Sequence, residues 1–274
     1  MRGLSPAPAR AVIVAAALFI SLLAGTARAE DLVLTPVAAP VPYVLKDVEP
    51  DVRGIAPGMG EDAVRAELAK LYPGGRPEAT KASVTYVNEG RMFRSKALLA
   101  QIAVRQAGAA VQDEMTVYFG LPTSQAPVLG IARRMEFTNG PAAPPVAQLV
   151  AQVTEKYGPP AVRRPGTGPG AVTLIWLFGD GKARACGGKK PVCPFVSAAV
   201  SIGRLDAYRA AVADGFELMI QVDLNTQVQD PARVKSFRTT LVDNRGAVLS
   251  YEAAQIQIIA AVEARPAPGP APRP

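Results

Sequence analysis

The sequence predicts an α+β fold of two tandem modules, each a helix laid on an antiparallel sheet, with a closing helix at the C-terminal end. Three observations carry that expectation. Two stretches, "MGEDAVRAELAKLYPGG" and "APPVAQLVAQVTEKYGPP", repeat one amphipathic design between Pro/Gly breakers. Several later runs alternate apolar and polar residues with the period of a half-buried strand. Short matches also recur in order: Tyr72 as Tyr157, the run from Val84 as that from Val172, the run from Leu98 as that from Phe195, and "GLPT" at 120 as "DLNT" at 223. The offset grows across the cysteine segment, which a loop inserted into the second copy accounts for. The expected boundaries are a leader over 1–29, an extended lead-in over 30–53, modules over 54–140 and 141–264, and a Pro-rich tail over 265–274.

In the first helix Val64, Leu68 and Leu71 share one face, Glu61 and Asp62 complement the positive end of the helix dipole, and Pro73, Gly74 and Gly75 stop it. The second helix places Val146, Leu149, Val150, Val153 and Tyr157 on one face, between Pro144–Pro145 and Gly158–Pro159–Pro160. Neither is long enough to persist alone in water, so each needs a sheet beneath it. Strands are expected where Leu98, Ala100, Ile102 and Val104 alternate, where Val196, Ala198, Val200 and Ile202 do, and where Leu218, Ile220 and Val222 do. "TLIWLF" is apolar on both faces, which fits a central strand covered on both sides or one side turned to a partner. Trp176 is assigned to the core; Ile175 and Leu177 are the first candidates for an exposed docking face. A closing helix is expected over about 250–264.

Arg2 and Arg10 precede an apolar run that ends in Ala27-Arg28-Ala29, the pattern of a secretory signal peptide cut before Glu30. A periplasmic or secreted location follows, with no stable membrane insertion after cleavage. Removing Arg2, Arg10 and Arg28 lowers the formal charge from +7 to +4, and the basic residues that remain cluster in pairs at most, so nucleic acid is not the expected partner. Cys186 and Cys193, the two cysteines, are expected to form a structural disulfide, which an exported chain retains.

The chain contains no histidine. Ser-His-Asp and Cys-His catalysis and His-ligated zinc are therefore excluded. Only carboxylate, Lys or Tyr chemistry remains. The acids that would supply it, Asp113, Glu114, Asp180, Asp206, Glu217 and Asp223, sit in settings that read as turns, helix starts or solvent-facing strand positions. "GTGPG" at 166–170 lacks the Lys-Ser/Thr of a phosphate-binding loop. No catalytic, metal-binding or cofactor-binding residue is assigned, and no cofactor is expected.

Gly58, Met59, Val64 and Leu68 match the Gly-Met-x-x-x-x-Val-x-x-x-Leu opening of the BamE (SmpA/OmlA) family, which this segment resembles. Lys-Tyr-Gly-Pro-Pro at 156–160 resembles the Leu-Gly-x-Pro that follows helices in the same superfamily, and two such modules in tandem look like the arrangement of β-lactamase inhibitory proteins. Gly60 departs from the family's Thr or Ser, and no Cys for lipidation follows the leader. The resemblance implies a non-catalytic module that binds another cell-envelope protein through its sheet or a helix edge. Two alternatives stay open: a small-ligand or glycan binder using a cleft between the modules, and a carboxylate-dependent hydrolase.

Intact-mass measurement of the exported protein is expected to show the loss of two hydrogens and no alkylatable thiol. Cys193→Ser should cost no more than about 2 to 3 kcal/mol, because the loop released is short.

Overall fold

A computed structural model describes residues 30–264 except 40, 47, 90, 139–142 and 187–195; the expected leader, the tail and Cys193 lie outside the described residues. After the short strand β1 (Glu30–Leu32), the first half of the chain runs α1 (Glu61–Leu71), β2 (Glu78–Ala82), β3 (Thr85–Asn88), β4 (Arg91–Ser95), β5 (Leu98–Ala107), β6 (Val111–Phe119) and β7 (Val128–Phe137). The second runs α2 (Val146–Tyr157), β8 (Val162–Pro165), β9 (Val172–Gly179), β10 (Lys182–Arg184), α3 (Leu205–Ala213), β11 (Leu218–Thr226), β12 (Val234–Asp243) and α4 (Asn244–Glu263). The α+β class is as the sequence predicts.

Among the described residues the strands make two sheets. The larger has nine strands in the order β10-β9-β11-β12-β7-β6-β5-β2, with β8 also paired to β9. All of its pairings are antiparallel. The two halves do not build separate sheets: β12 lies beside β7 and closes them into one. The hairpin β3–β4 leaves this sheet and joins β1, which runs parallel to β4, in a second sheet of three.

Both early helices cover the same, inner face of the large sheet. Val64 and Leu68 of α1 and Val153 and Tyr157 of α2 are buried in one core with Ile102, Val117, Ile131, Trp176, Ile220 and Leu241. The Gly58-Met59 segment before α1 bonds the start of β7: Gly58 N–H donates to the Val128 carbonyl at 3.0 Å, and Val128 N–H donates back to Met59 at 2.8 Å. Gly58 has φ +86°, where a Cβ would lie 3.3 Å from Pro42, so glycine fits that turn without strain. The lead-in is part of the core rather than a separate extension: Tyr43, Leu45, Val52 and Ile55 are buried in it.

Each helix ends on a tyrosine. Tyr72 donates its hydroxyl to Asp113 Oδ1 at 3.1 Å, and Tyr157 donates its own to the Asp51 carbonyl at 2.7 Å. The Tyr157 ring meets Trp176 edge-on, with centroids 5.4 Å apart, and the Trp176 indole N–H donates to the Gly158 carbonyl at 2.8 Å. Trp176 is core, as expected.

Four expectations need correction. Residues 196–200 are extended but form no strand; they cross the outer face of the sheet, pressing so close to β7 that a Cβ on Gly130 would lie 2.0 Å from the Ala198 carbonyl oxygen. Their alternation records one side lying down on a sheet, not a place within it. The run from Val84 forms the β3–β4 hairpin of the small sheet while the run from Val172 is β9 of the large one, so the two matched runs do not occupy equivalent places. Helix α3 was not anticipated, although Leu205, Tyr208 and Val212 fall on one face before Gly215. Helix α4 starts at Asn244, not near 250, because Asp243 caps it by accepting from Gly246 N–H at 2.8 Å.

Leu68 is fully buried, so Leu68→Ala should destabilise the protein by about 2 to 5 kcal/mol in denaturant unfolding. Val153→Ala should cost less, because fewer buried atoms are removed. Melting unchanged in both would contradict the helix-on-sheet packing.

Candidate functional site

The outer face of the large sheet changes character along its strands. At one end it is apolar and covered. Ile175 and Leu177 of β9, Met219 of β11 and Val242 of β12 are buried there with Val196, and Val200, Phe216 and Cys186 pack against them. Leu129, beside them on β7, packs under α3 and α4 with Leu205, Tyr208, Ala247 and Tyr251. Ile175 and Leu177 are 0% and 1% exposed, which corrects their assignment to a docking face: they are the second core. "TLIWLF" is therefore a strand covered on both sides. Cys186 is half-buried against this cluster, and its expected partner lies outside the described residues.

At the other end the same face is polar and open. Cross-strand register places one row of side chains directly opposite each other over seven strands: Arg105 on β5 faces Glu114 on β6, Glu114 faces Arg134 on β7, and Arg134 faces Arg238 on β12. Arg238 in turn faces Asp223 on β11, Asp223 faces Thr173 on β9, and Thr173 faces Arg164 on β8. The pattern is nearly mirror-symmetric about β7 and β12, the central pair. Two arginines meet there, an arrangement that costs stability on a sheet surface. Arg134 pairs with Glu136 on its own strand; among the described residues no carboxylate forms an ion pair with Arg238.

All of this row except Arg105 and Glu114 borders a trough of about 820 Å³ lined by Arg134, Arg164, Arg238, Thr173, Gln221 and Asp223, among others. Asp223 accepts from the Thr173 hydroxyl at 2.7 Å and from the Gln221 side-chain amide at 2.8 Å. A second cavity of about 790 Å³, between the lead-in and α2, is less open to chemistry. Two of its charged groups are engaged with each other, Asp51 accepting from Lys156 at 2.8 Å and also from Gly54 N–H at 2.6 Å, while Glu49 and Arg53 line it as well.

The remaining acids singled out in the sequence are occupied by structure. Asp113 takes two bonds from Arg133, at 3.0 and 2.6 Å, and one from Tyr72; with Glu114 it lies within β6. Burial pushes the Tyr72 hydroxyl up to about 12, and Asp113 beside it adds to the shift. Glu217 accepts from the Tyr43 hydroxyl at 3.0 Å and from Asp180 N–H at 2.9 Å, fastening the lead-in to the β9–β10 turn. Asp180 pairs with Arg184, and Asp206 in the first turn of α3 pairs with Arg209 at 3.1 Å. Among the described residues no three His, Cys, Asp or Glu are grouped to hold a metal, and no helix is long and apolar enough to cross a membrane.

Asp243 is the acid whose environment departs most from water. Burial pushes its carboxyl from 3.8 up to about 7; the Gly246 amide and Arg245 pull it down, and Glu217 pushes it further up. It also borders an apolar groove with Val41, Leu249 and Ile256, which Glu217 does not line, so the two acids do not face one another across that groove. Asp243 serves as a helix cap whose carboxyl burial holds well above the usual carboxylate range. Comparison with known protein families, curated proteins and solved structures returns no match.

Asp243 makes a pH prediction. Its folded value is raised, so its support for the fold is complete below the unfolded value and is lost as pH rises through the folded value near 7. Asp243→Asn keeps the acceptor for Gly246 and removes the titration. The melting temperature of this variant relative to wild type should therefore rise between about pH 4 and pH 8. A difference independent of pH would contradict the raised value.

Proposed function

We propose that the protein is a non-catalytic, exported interaction protein of the bacterial cell envelope, and that a partner protein docks on the open, polar part of the outer sheet face. The observation that carries this reading is the row from Arg105 to Arg164, with two arginines opposed at its centre of which Arg134 alone is held in an ion pair among the described residues. A sheet gains nothing internally from Arg134 opposite Arg238. A partner presenting carboxylates over that pair would complete the pattern, and electrostatic complementarity of this kind sets specificity and encounter rate.

The same reading takes the chain as two tandem modules. What supports it is the order of elements: α1 precedes the meander β2-β5-β6-β7, α2 precedes β8-β9-β11-β12, and the last strands of the two meanders pair. Insertions distinguish the copies, the β3–β4 hairpin in the first and β10, the cysteine segment and α3 in the second. This arrangement agrees with the BamE-like opening and with the tandem plan of β-lactamase inhibitory proteins. In this reading export through the signal peptide delivers the protein to the periplasm or the medium, and Cys186 and Cys193 close a disulfide there.

The test is site-specific photo-crosslinking in intact cells of the source bacterium. A crosslinker at Glu114 should capture a discrete partner, and one at Arg65, on exposed α1, should not. Arg134→Gln combined with Arg238→Gln should abolish that capture while leaving stability within about 0.5 kcal/mol, as for other surface changes. Capture that survives the double substitution, or equal capture from both positions, would rule out docking on this face.

A further inference from the structure

We propose that the trough on the outer sheet face binds a small hydroxylated organic anion, its carboxylate or phosphate held by Arg238 in the positive field of Arg134 and Arg164 and its hydroxyls by Gln221 and Asp223. The inference goes beyond partner docking and does not require it.

Gln221 carries the argument. It is 7% exposed and lines the trough, yet its Oε1 has no hydrogen-bond partner. Exchanging the amide oxygen and nitrogen does not cure this. The nitrogen donates to Asp223 Oδ2 at 2.8 Å, and an oxygen there would face a carboxylate. The orientation is therefore fixed by Asp223, and Asp223 by the Thr173 hydroxyl. A buried acceptor left unpaired costs about 1 to 3 kcal/mol; a donor at that position removes the cost, and a ligand hydroxyl can supply it by taking the place of a bound water.

The rest of the lining defines the ligand. An orphan acceptor calls for a hydroxyl or amine, and a carboxylate that already takes two protein bonds retains lone pairs for another donor. Arg238, with no ion pair among the described residues, presents a forked donor suited to carboxylate or phosphate, and Arg134 and Arg164, each already engaged elsewhere, add positive charge beside it on two further strands. The volume, about 820 Å³, is ample for a sugar-sized molecule. Thr173 and Thr240 add hydroxyls at the floor, where both are nearly buried. Sugar acids and sugar phosphates share this chemistry.

The experiment titrates purified protein with D-glucuronate, glucose 1-phosphate, glucose and acetate, following binding by calorimetry and the Gln221 side-chain amide by NMR. Saturable binding of glucuronate or glucose 1-phosphate is expected, with glucose and acetate weaker by at least about tenfold; which anion binds more tightly separates carboxylate from phosphate. Gln221→Leu should weaken the anion by about tenfold through loss of the acceptor. Arg238→Gln, on the exposed rim, should weaken it similarly and decides the matter if Gln221→Leu does not fold. No saturable binding by either anion, glucose or acetate binding as tightly, or an unchanged affinity in Arg238→Gln would each overturn the proposal. Because no partner protein is present, these outcomes are independent of the crosslinking result.

Discussion

The pairing of β12 with β7 is the constraint on which the rest of the structure depends. Its register runs from Ser236 opposite Glu136 to Val242 opposite Gly130. Without it the large sheet falls into a piece of four strands and a piece of five, each with a bare edge at its last strand. With it, the inner face becomes one continuous surface, and α1 and α2 share a single core. A slip of one residue would turn Phe237 and Leu241 outward and Arg238 inward, so the burial of those two side chains fixes the register. The same register sets Arg134 against Arg238. The central charge pair is thus a consequence of how the core closes, and neutralising it from within would need a different residue on one of two strands whose inner faces are already committed.

Two polar clusters hold the helices to that sheet. Arg133 and Asp113 form a largely buried ion pair on the inner side of β6 and β7, at 2.6 Å, with the Tyr72 hydroxyl added at the end of α1. Such a pair is weak support for net stability, since desolvation offsets most of the attraction. Its effect is positional: it admits one placement of the α1 terminus. At the end of α2, Tyr157 and Lys156 both reach Asp51, which belongs to the lead-in. Segment 30–55 is consequently clamped between helix and sheet, and Glu217 clamps it again through Tyr43.

Much of this was legible in sequence, for identifiable reasons. Helices α1 and α2 were readable because Val64, Leu68 and Val153 recur at helical spacing between Pro/Gly breakers, and β5 because Ile102 and Val104 alternate beside a turn. Residues 196–200 were misread because an extended chain lying on a sheet shows the same alternation as a strand within one. Only the close approach to Gly130 tells them apart, and that is a contact between distant parts of the chain. Ile175 and Leu177 were misplaced for a related reason: apolar residues on both faces establish that something covers the strand, not whether the cover is a partner or residues 196–200 and Phe216. Gln221 was invisible as a site residue, since one Gln in the polar phase of a strand carries no signal until its partners are known.

The outer face shows how one sheet surface can be both core and site. On β9, Thr173 gives way to Ile175 and Leu177; on β12, Arg238 and Thr240 give way to Val242; on β7, Arg134 and Ala132 give way to Gly130. The change falls at about the same level on neighbouring strands, so it marks a line across the sheet. On one side of the line α3, α4 and the crossing segment satisfy the surface. On the other, no described residue lays down a cover, and the face there holds an arginine without an ion pair among the described residues and a buried amide oxygen without a donor. An exposed arginine is met by water, but natural sequences seldom bury an unpaired acceptor, so Gln221 is what sets this part of the face apart from an ordinary solvent surface. The line across the sheet separates the surface that α3, α4 and residues 196–200 cover from the surface that, in the proposed reading, another molecule completes.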